Sequence, residues 1–148
     1  MRHDIATGDL FYDIPRAAPA LPASMDFRPQ LSHLVSEMLA HAASDQNINR
    51  FQIAARASTY AGREISVSML NGYTSEKREA FNLPLWIVPA LECACESILL
   101  TDWLARIRGG RVLLGPAALD AEIGRMERMK TDAADQLKQL RHLRRKVR

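Results

Sequence analysis

The polar residues with the most informative spacing lie between Asn49 and Arg78. Gln52 follows Asn49 by three positions, which is the arrangement of a capping box at the start of a helix. Gly62 stands where that helix would end in a left-handed turn, and Ser66 can cap a second, shorter helix. Two helices joined by a short turn with a glycine are typical of a helix-turn-helix, whose chemistry is hydrogen bonding to duplex DNA.

The exposed positions of this segment carry side chains suited to DNA. The second helix is predicted over 67–73, and the first residues of such a helix face the base edges. Serine and asparagine can hydrogen-bond bases, whereas cations and a tyrosine suit phosphate oxygens. The same pattern also fits a helical hairpin inside a bundle, with serines as caps and cations facing solvent. The predicted DNA contacts are Arg63, Ser66, Val67, Ser68, Asn71, Tyr73, Thr74, Lys77 and Arg78.

A second informative stretch is the predicted helix over 116–148, which begins at Pro116. Apolar residues recur along it at alternating steps of four and three, which is typical of a coiled coil. The charged Lys130 and Arg144 interrupt this seam and would make the pairing selective. Acidic residues dominate the first part and basic residues the last, which favours antiparallel pairing of two copies. The predicted oligomerisation residues are Leu119, Ile123, Met126, Ala133, Leu137 and Leu140.

The last eleven residues are basic and contain no acidic side chain. Lysine and arginine neutralise DNA phosphates, so this end could add contacts that weaken with salt. Alternatively, the helix could pack on its own domain and leave the basic end in solvent. The possible phosphate contacts are Arg141, Arg144, Arg145, Lys146 and Arg148.

The wider pattern predicts an all-α protein: a compact multi-helix domain that contains the helix-turn-helix, followed by a long, coiled-coil-like C-terminal helix. Residues 1–24 hold three prolines and no sustained period, which predicts a flexible N-terminal arm. Residues 25–115 are the predicted helical domain, with the helix-turn-helix at about 49–78, and residues 116–148 form the C-terminal helix.

Other helices of the domain follow from apolar spacing and capping residues. The first is predicted from Phe27 to Ala42, and a short one from Thr74 or Ser75 through Ala80. A helix that opens near Pro84 is predicted to be interrupted at Pro89, and the last extends over 98–107, capped by Ser97.

Composition narrows the class of protein. Apolar residues make up 47% and charged residues 25% of 148 residues, which is ordinary for a soluble globular chain. The longest apolar stretch, 83–91, contains two prolines and is too short to cross a membrane. The N-terminus lacks the apolar core of a secretory signal, which predicts a cytoplasmic protein. Cys93 and Cys95 diverge on a predicted helix and read as small core residues of a reducing compartment.

No catalytic or metal-binding constellation is visible. The four histidines are scattered and match no zinc spacing. Gly109 and Gly110 lack the lysine and hydroxyl residue of a phosphate-binding loop, and no serine occupies the strand-turn-helix elbow of a hydrolase. The sequence therefore predicts a protein that is not an enzyme, with no metal and no cofactor.

Several short runs resemble a known group of regulators. These are NRFQIAAR at 49–56, AGREIS at 61–66, Met69-Leu70 and NLPL at 82–85. They resemble small regulatory proteins from the early region of Mu-like transposable phages and prophages and, more distantly, phage CII-type regulators. The resemblance covers residues 24–115 and implies a helix-turn-helix followed by a helical segment that completes the core. Gly72 departs from what such a recognition helix would carry.

Together these features predict a sequence-specific regulator of a phage or prophage that binds double-stranded DNA as a homodimer through its C-terminal helix. The alternative is a non-enzymatic adaptor or inhibitor that uses its helical surface and C-terminal helix to bind a phage or host protein. A first measurement of binding to duplex DNA separates the two classes.

Overall fold

A computed structural model describes residues 16–77 and 80–147. Within these residues the chain is all-helical, which confirms the predicted fold class. The α-helices are α1 (Arg28–Gln46), α2 (Arg50–Ala61), α3 (Val67–Tyr73), α4 (Val88–Ala94), α5 (Leu99–Ile107) and α6 (Pro116–Lys146), and a 3-10 turn, η1 (Leu85–Ile87), precedes α4. The chain divides into two units, Met1–Arg111 and Val112–Arg148.

The core of the first unit lies where α1 to α5 meet. Helix α2 packs chiefly against α4, and α1 lies against α5. Helices α3 and α4 have only seven residues each, and helices this short are unstable alone in water. Tertiary burial therefore stabilises them, at about 1.5–3 kcal/mol for each large apolar side chain removed from water. The largest fully buried side chains are Val35, Met38, Ile53, Leu70, Ile87 and Leu91.

The predicted starts and stops of α2 and α3 are confirmed. Asn49 Oδ1 accepts a hydrogen bond from the Gln52 backbone N–H (3.0 Å), and the Asn49 N–H donates to Gln52 Oε1 (2.8 Å). Gly62 ends α2 with a φ of 64°, the left-handed conformation that glycine adopts without strain. Ser66 Oγ accepts from the Met69 N–H at 3.2 Å and caps α3.

Two predicted helix features are wrong. Residues 74–77 form turns rather than the start of a helix, because the Thr74 N–H returns to carbonyls of α3 and closes that helix. Pro89 does not interrupt its helix but lies in the first turn of α4, where a missing N–H leaves no bond unmade.

Helices α1 and α5 differ from the predicted ranges at one end each. Helix α1 continues past Ala42 to Gln46 and ends at Asn47, which has a left-handed φ of 52°. Helix α5 begins at Leu99, whose N–H donates to Ser97 Oγ at 3.1 Å, so the predicted serine does satisfy its first turn.

The segment before α1 is held against α5 in its described part. The Ala18 N–H donates to the Ile107 carbonyl at 2.8 Å. A side chain at Gly109, whose φ is 76°, would approach the Ala17 backbone N to 2.9 Å. Of the predicted arm, Ala17 and Ala18 therefore contact the end of α5 and the glycine after it, and residues 1–15 lie outside the described residues.

The second unit contains one helix, α6, with 31 residues and none of them buried. Gly115 precedes it with a φ of 57°, and Pro116 occupies its first turn, as a helix start favours. The predicted long C-terminal helix is confirmed. No helix of the described chain is both long enough and apolar enough to cross a membrane.

Candidate nucleic-acid interface

The turn between α2 and α3 is joined to α2 by hydrogen bonds and by a buried side chain. Ile65 in this turn is only 2% exposed and anchors it in the core. The Ser58 hydroxyl accepts from the Ile65 N–H (2.8 Å) and donates to the Ala54 carbonyl (2.7 Å). One side chain in α2 thus ties down the backbone that leads into α3, which fixes the position of α3.

Helix α3 presents two of its predicted base-facing side chains to solvent. Ser68 and Asn71 are exposed, whereas Leu70 is fully buried beneath them. Ser66 is half-buried and used as the cap, and Val67 is half-buried against the core. The outer face of α3 therefore offers a hydroxyl and an amide, and only these two of the predicted base-contacting groups stand fully outside.

Asn71 is oriented by an arginine at the start of α2. Arg50 Nη1 donates to Asn71 Oδ1 and, at 3.4 Å, to Thr74 Oγ1. The Thr74 hydroxyl donates in turn to the Asn71 backbone carbonyl at 3.1 Å. Because the Oδ1 acceptor faces Arg50, the Nδ2 donor of the amide points away from it. We refer to Arg50, Ser68, Asn71 and Thr74 as the α2–α3 surface.

Two further predicted contacts flank this surface. Arg63 is exposed in the turn, and its guanidinium carbon lies 5.5 Å from the centre of the Trp86 ring, a cation–π contact. Lys77 is exposed just beyond α3. The predicted contact Arg78 lies outside the described residues.

Tyr73 is a core residue. It is only 4% exposed, its ring lies 5.3 Å from that of Phe81, and burial raises the pKa of its hydroxyl. A side chain so deeply buried does not present its ring to a phosphate group. Its place among the predicted phosphate contacts therefore finds no support in the structure.

The close approach of the Phe81 ring explains why α3 contains a glycine at position 72. A Cβ built there would lie 2.2 Å from Cδ1 of the Phe81 ring, far inside contact distance. The glycine thus allows Phe81 to close over the end of α3, and the loss of helix propensity is the consequence of that close approach.

Helix α2 and the turn that follows it carry a net positive charge, whereas α3 has no charged side chain. Arg50, Arg56 and Arg63 belong to α2 and its turn, and Glu64 is the one acidic residue between positions 46 and 75. Arg56 Nη1 donates to Gln46 Oε1 at 3.1 Å at the end of α1. The sequence interpretation missed Arg50 and Arg56; the signal that could have found them is this run of arginines without acidic neighbours.

The predicted contacts on α6 are all at its surface. Every predicted oligomerisation residue of α6 is exposed, as are Arg141, Arg144, Arg145 and Lys146. Arg148 lies outside the described residues. The proposed contacts of these residues with a second copy or with phosphates stay predictions.

Glu92, Cys93 and Cys95 lie in α4 and at its C-terminal end, outside the α2–α3 surface. Glu92 is 6% exposed and accepts from the Thr101 N–H (2.8 Å) and hydroxyl (2.5 Å), which satisfies the first turn of α5. Burial raises the pKa of the Cys95 thiol to about 11, and Cys93 is exposed. Among the described residues, no group of three or more His, Cys, Asp or Glu side chains could hold a metal ion.

Comparison with protein families, curated proteins and solved structures finds no match for this chain. The resemblance to phage regulators therefore stays a prediction drawn from the short runs quoted above. The chemistry of the α2–α3 surface has to carry the functional argument.

Proposed function

We propose that this protein binds double-stranded DNA in a sequence-dependent manner through the α2–α3 surface. The observation that carries the proposal is the amide of Asn71, which stands on the outer face of α3 with its carbonyl oxygen held by Arg50. An amide whose orientation is fixed before binding loses little freedom on recognising a base edge. Ser68, one turn earlier on the same face, supplies a second group that can donate or accept.

The charges around this surface suit phosphate oxygens. Arg63 and Lys77 are exposed to either side of α3, and Arg50 is half-buried at its edge. Contacts of this kind position a protein on duplex DNA without reading sequence. The proposed division of labour is base contact by Ser68 and Asn71 and phosphate contact by the cations. The assignment to a phage or prophage regulator rests on the resemblance alone.

The test is a titration of the full-length protein against duplexes from the neighbourhood of its own gene and against a shuffled duplex, at two salt concentrations. Asn71→Asp is the sharpest variant, because its carboxylate can still accept from Arg50 while it removes the amide donor and repels phosphates. We expect Asn71→Asp to unfold at the wild-type temperature and to lose about tenfold or more in affinity, as for one lost base contact.

Matched controls separate base reading from charge. Arg63→Ala should weaken binding to every duplex and reduce the salt dependence by about one phosphate contact. Arg108→Ala removes an equal charge from an exposed site at the end of α5, and we expect little change. If Asn71→Asp and Arg63→Ala both bind as the wild type does, the α2–α3 surface is not the DNA site.

A second candidate function is a protein–protein adaptor, favoured by one observation. Leu85 is 73% exposed and Trp86 52% exposed on η1, and Trp86 carries Arg63 over its ring. Exposed aromatic and arginine side chains are characteristic of protein-binding surfaces. If the protein is an adaptor, we expect no affinity for any duplex at moderate salt and loss of partner binding in Trp86→Ala. If it binds DNA, we expect Leu85→Ala to leave duplex binding unchanged.

A further inference from the structure

Helix α6 and its C-terminal end carry a symmetric row of apolar side chains that are exposed in the described structure. Eight large apolar residues between positions 119 and 147 are 48% to 88% exposed. With Ala133 in the middle, the steps along the row are four, three, three, four, four, three, three and four residues, so the row reads the same from either end. The residues are Leu119, Ile123, Met126, Met129, Leu137, Leu140, Leu143 and Val147.

We propose that α6 pairs in an antiparallel orientation with α6 of a second copy of this chain, with the two-fold axis close to Ala133. In this register Met126 of each copy lies at the level of Leu140 of the other, and Leu119 at the level of Val147. The small side chain of Ala133 lets the two helices approach most closely where they cross. Apolar side chains then face apolar side chains along the whole pair.

The length of the row favours a second α6 over the first unit as its partner. From Leu119 to Val147 the row extends about 42 Å, at 1.5 Å per residue. The longest described helix of the first unit, α1, has 19 residues and spans about 28 Å. No described helix of that unit is long enough to match the row from end to end, whereas a second α6 has the same length as the first.

Charge decides the orientation of the pair. Asp120 and Glu122 lie near the start of α6, and its last turn carries Arg144, Arg145 and Lys146. A parallel pair would place three cations of one copy beside the same three of the other. An antiparallel pair places the acidic start beside the basic end at both ends of the structure. Single exposed pairs stabilise little, but avoided repulsion selects one orientation over the other.

The inference concerns α6 alone and does not depend on the proposed binding of DNA. Its geometry has a distinct consequence: the two Pro116 residues of an antiparallel pair lie at opposite ends, about 51 Å apart along the pair. In a parallel pair they would stand side by side.

Cysteine cross-linking of the full-length protein tests the orientation. Met126→Cys and Leu140→Cys are prepared separately in a Cys93→Ser background, since Cys93 is the exposed native thiol, and one carries a mass tag. A short bismaleimide should join the two variants when they are mixed and refolded together. Neither variant alone should cross-link, because two copies of one position lie about 21 Å apart along an antiparallel pair.

Other outcomes overturn the proposal. Efficient cross-linking of either variant with itself means a parallel pair, and a monomer by light scattering across the concentration range means no pair at all. Because both cysteines lie far along the sequence from the α2–α3 surface, failure of this test leaves the DNA titration unaffected, and Asn71→Asp should cross-link as its parent does.

Charge reversal supplies an independent check. Arg144→Glu with Lys146→Glu should weaken self-association by about tenfold at low salt, because both ends of the pair then set acid against acid. Adding Asp120→Lys and Glu122→Lys to the same chain should restore it. Restoration fails in a parallel pair, where these positions never meet, and that result would exclude the antiparallel arrangement.

Discussion

The two units of this chain treat their apolar side chains in opposite ways. The first unit buries its apolar residues among five helices, including six large side chains that are less than 2% exposed. Helix α6 is longer than any of these helices and buries none of its residues. Residues 112–148 also hold 14 of the 37 charged side chains of the chain, so the second unit is the more highly charged of the two.

This difference implies two kinds of stability. The first unit has the contacts it needs within one copy, so its free energy of unfolding should not depend on protein concentration. In the proposed pair, helix α6 gains burial from a second copy, and association would stabilise it by mass action. Substitutions in the two regions should therefore be read out by different measurements.

The largest contrast is expected from removing one leucine in each region. Leu91→Ala deletes a side chain that is fully buried in α4 and should lower the free energy of unfolding by about 2–5 kcal/mol, because it loses burial and leaves a cavity. Leu137 of α6 is 48% exposed, and Leu137→Ala should leave the denaturant midpoint of the first unit unchanged.

Leu137→Ala should instead raise the dissociation constant of the pair, measured by sedimentation or light scattering at several concentrations. The opposite result is that Leu137→Ala lowers the denaturant midpoint as strongly as Leu91→Ala does, at every protein concentration. That result would mean that α6 is part of the core of its own chain.

A smaller effect is expected at the buried carboxylate. Glu92 of α4 satisfies the first turn of α5 through Thr101, and a carboxylate near a helix N-terminus is further favoured by the helix dipole. Glu92→Ala leaves these donors without their acceptor and should destabilise the first unit by about 1–3 kcal/mol. Glu92→Gln keeps one acceptor oxygen and should lower the free energy of unfolding by less than Glu92→Ala does.

The matched control in the other region is Glu122→Gln. Glu122 accepts from Arg125 at 2.8 Å on the surface of α6, and both side chains are 54% exposed. Exposed pairs of this kind contribute little, so chemical denaturation of the first unit should be unchanged. Equal effects of Glu92→Gln and Glu122→Gln would remove the distinction between a buried bond and an exposed one.

Much of the fold could be predicted because its signals are local. Asn49 and Ser66 act through hydrogen bonds to residues three positions away and Gly62 through its own φ, and the structure places all three as the spacing indicated. The departures have two causes, a competing local signal at Thr74 and a distant partner at Gly72. Thr74 closes α3 instead of opening a helix, and Gly72 is a glycine because Phe81, nine residues away, closes over it.

The candidate site shows the same division. Ser68 and Asn71 could be placed on an outer face from helical spacing, and the structure exposes both. Tyr73 was assigned to that face from its chemistry and is buried, because α3 turns its last residue towards the core. The bond from Arg50 to Asn71 joins residues 21 positions apart, and no local spacing rule predicts it.

The smallest expected effect concerns the two thiols of the first unit. Their reactivity reports how completely the core of this unit excludes water. Cys95 lies in the core beside Glu92, and burial raises the pKa of its thiol to about 11, against 9.0 for the unperturbed group. Cys93, two residues earlier, is exposed. A thiol reagent should label Cys93 in the folded protein and reach Cys95 only on unfolding.

The raised pKa also fixes the sign of a pH effect. Because the folded state disfavours the Cys95 thiolate, the stability that this thiol contributes is complete below pH 9.0 and is lost as the pH rises through about 11. We expect the unfolding free energy of the wild type to exceed that of Cys95→Ala by less at pH 10 than at pH 8, by about 1 kcal/mol. Cys93→Ala should follow the wild type at both pH values. An equal difference in unfolding free energy between the wild type and Cys95→Ala at both pH values would show that water reaches this thiol. The core of the first unit would then exclude water less completely than its burial indicates.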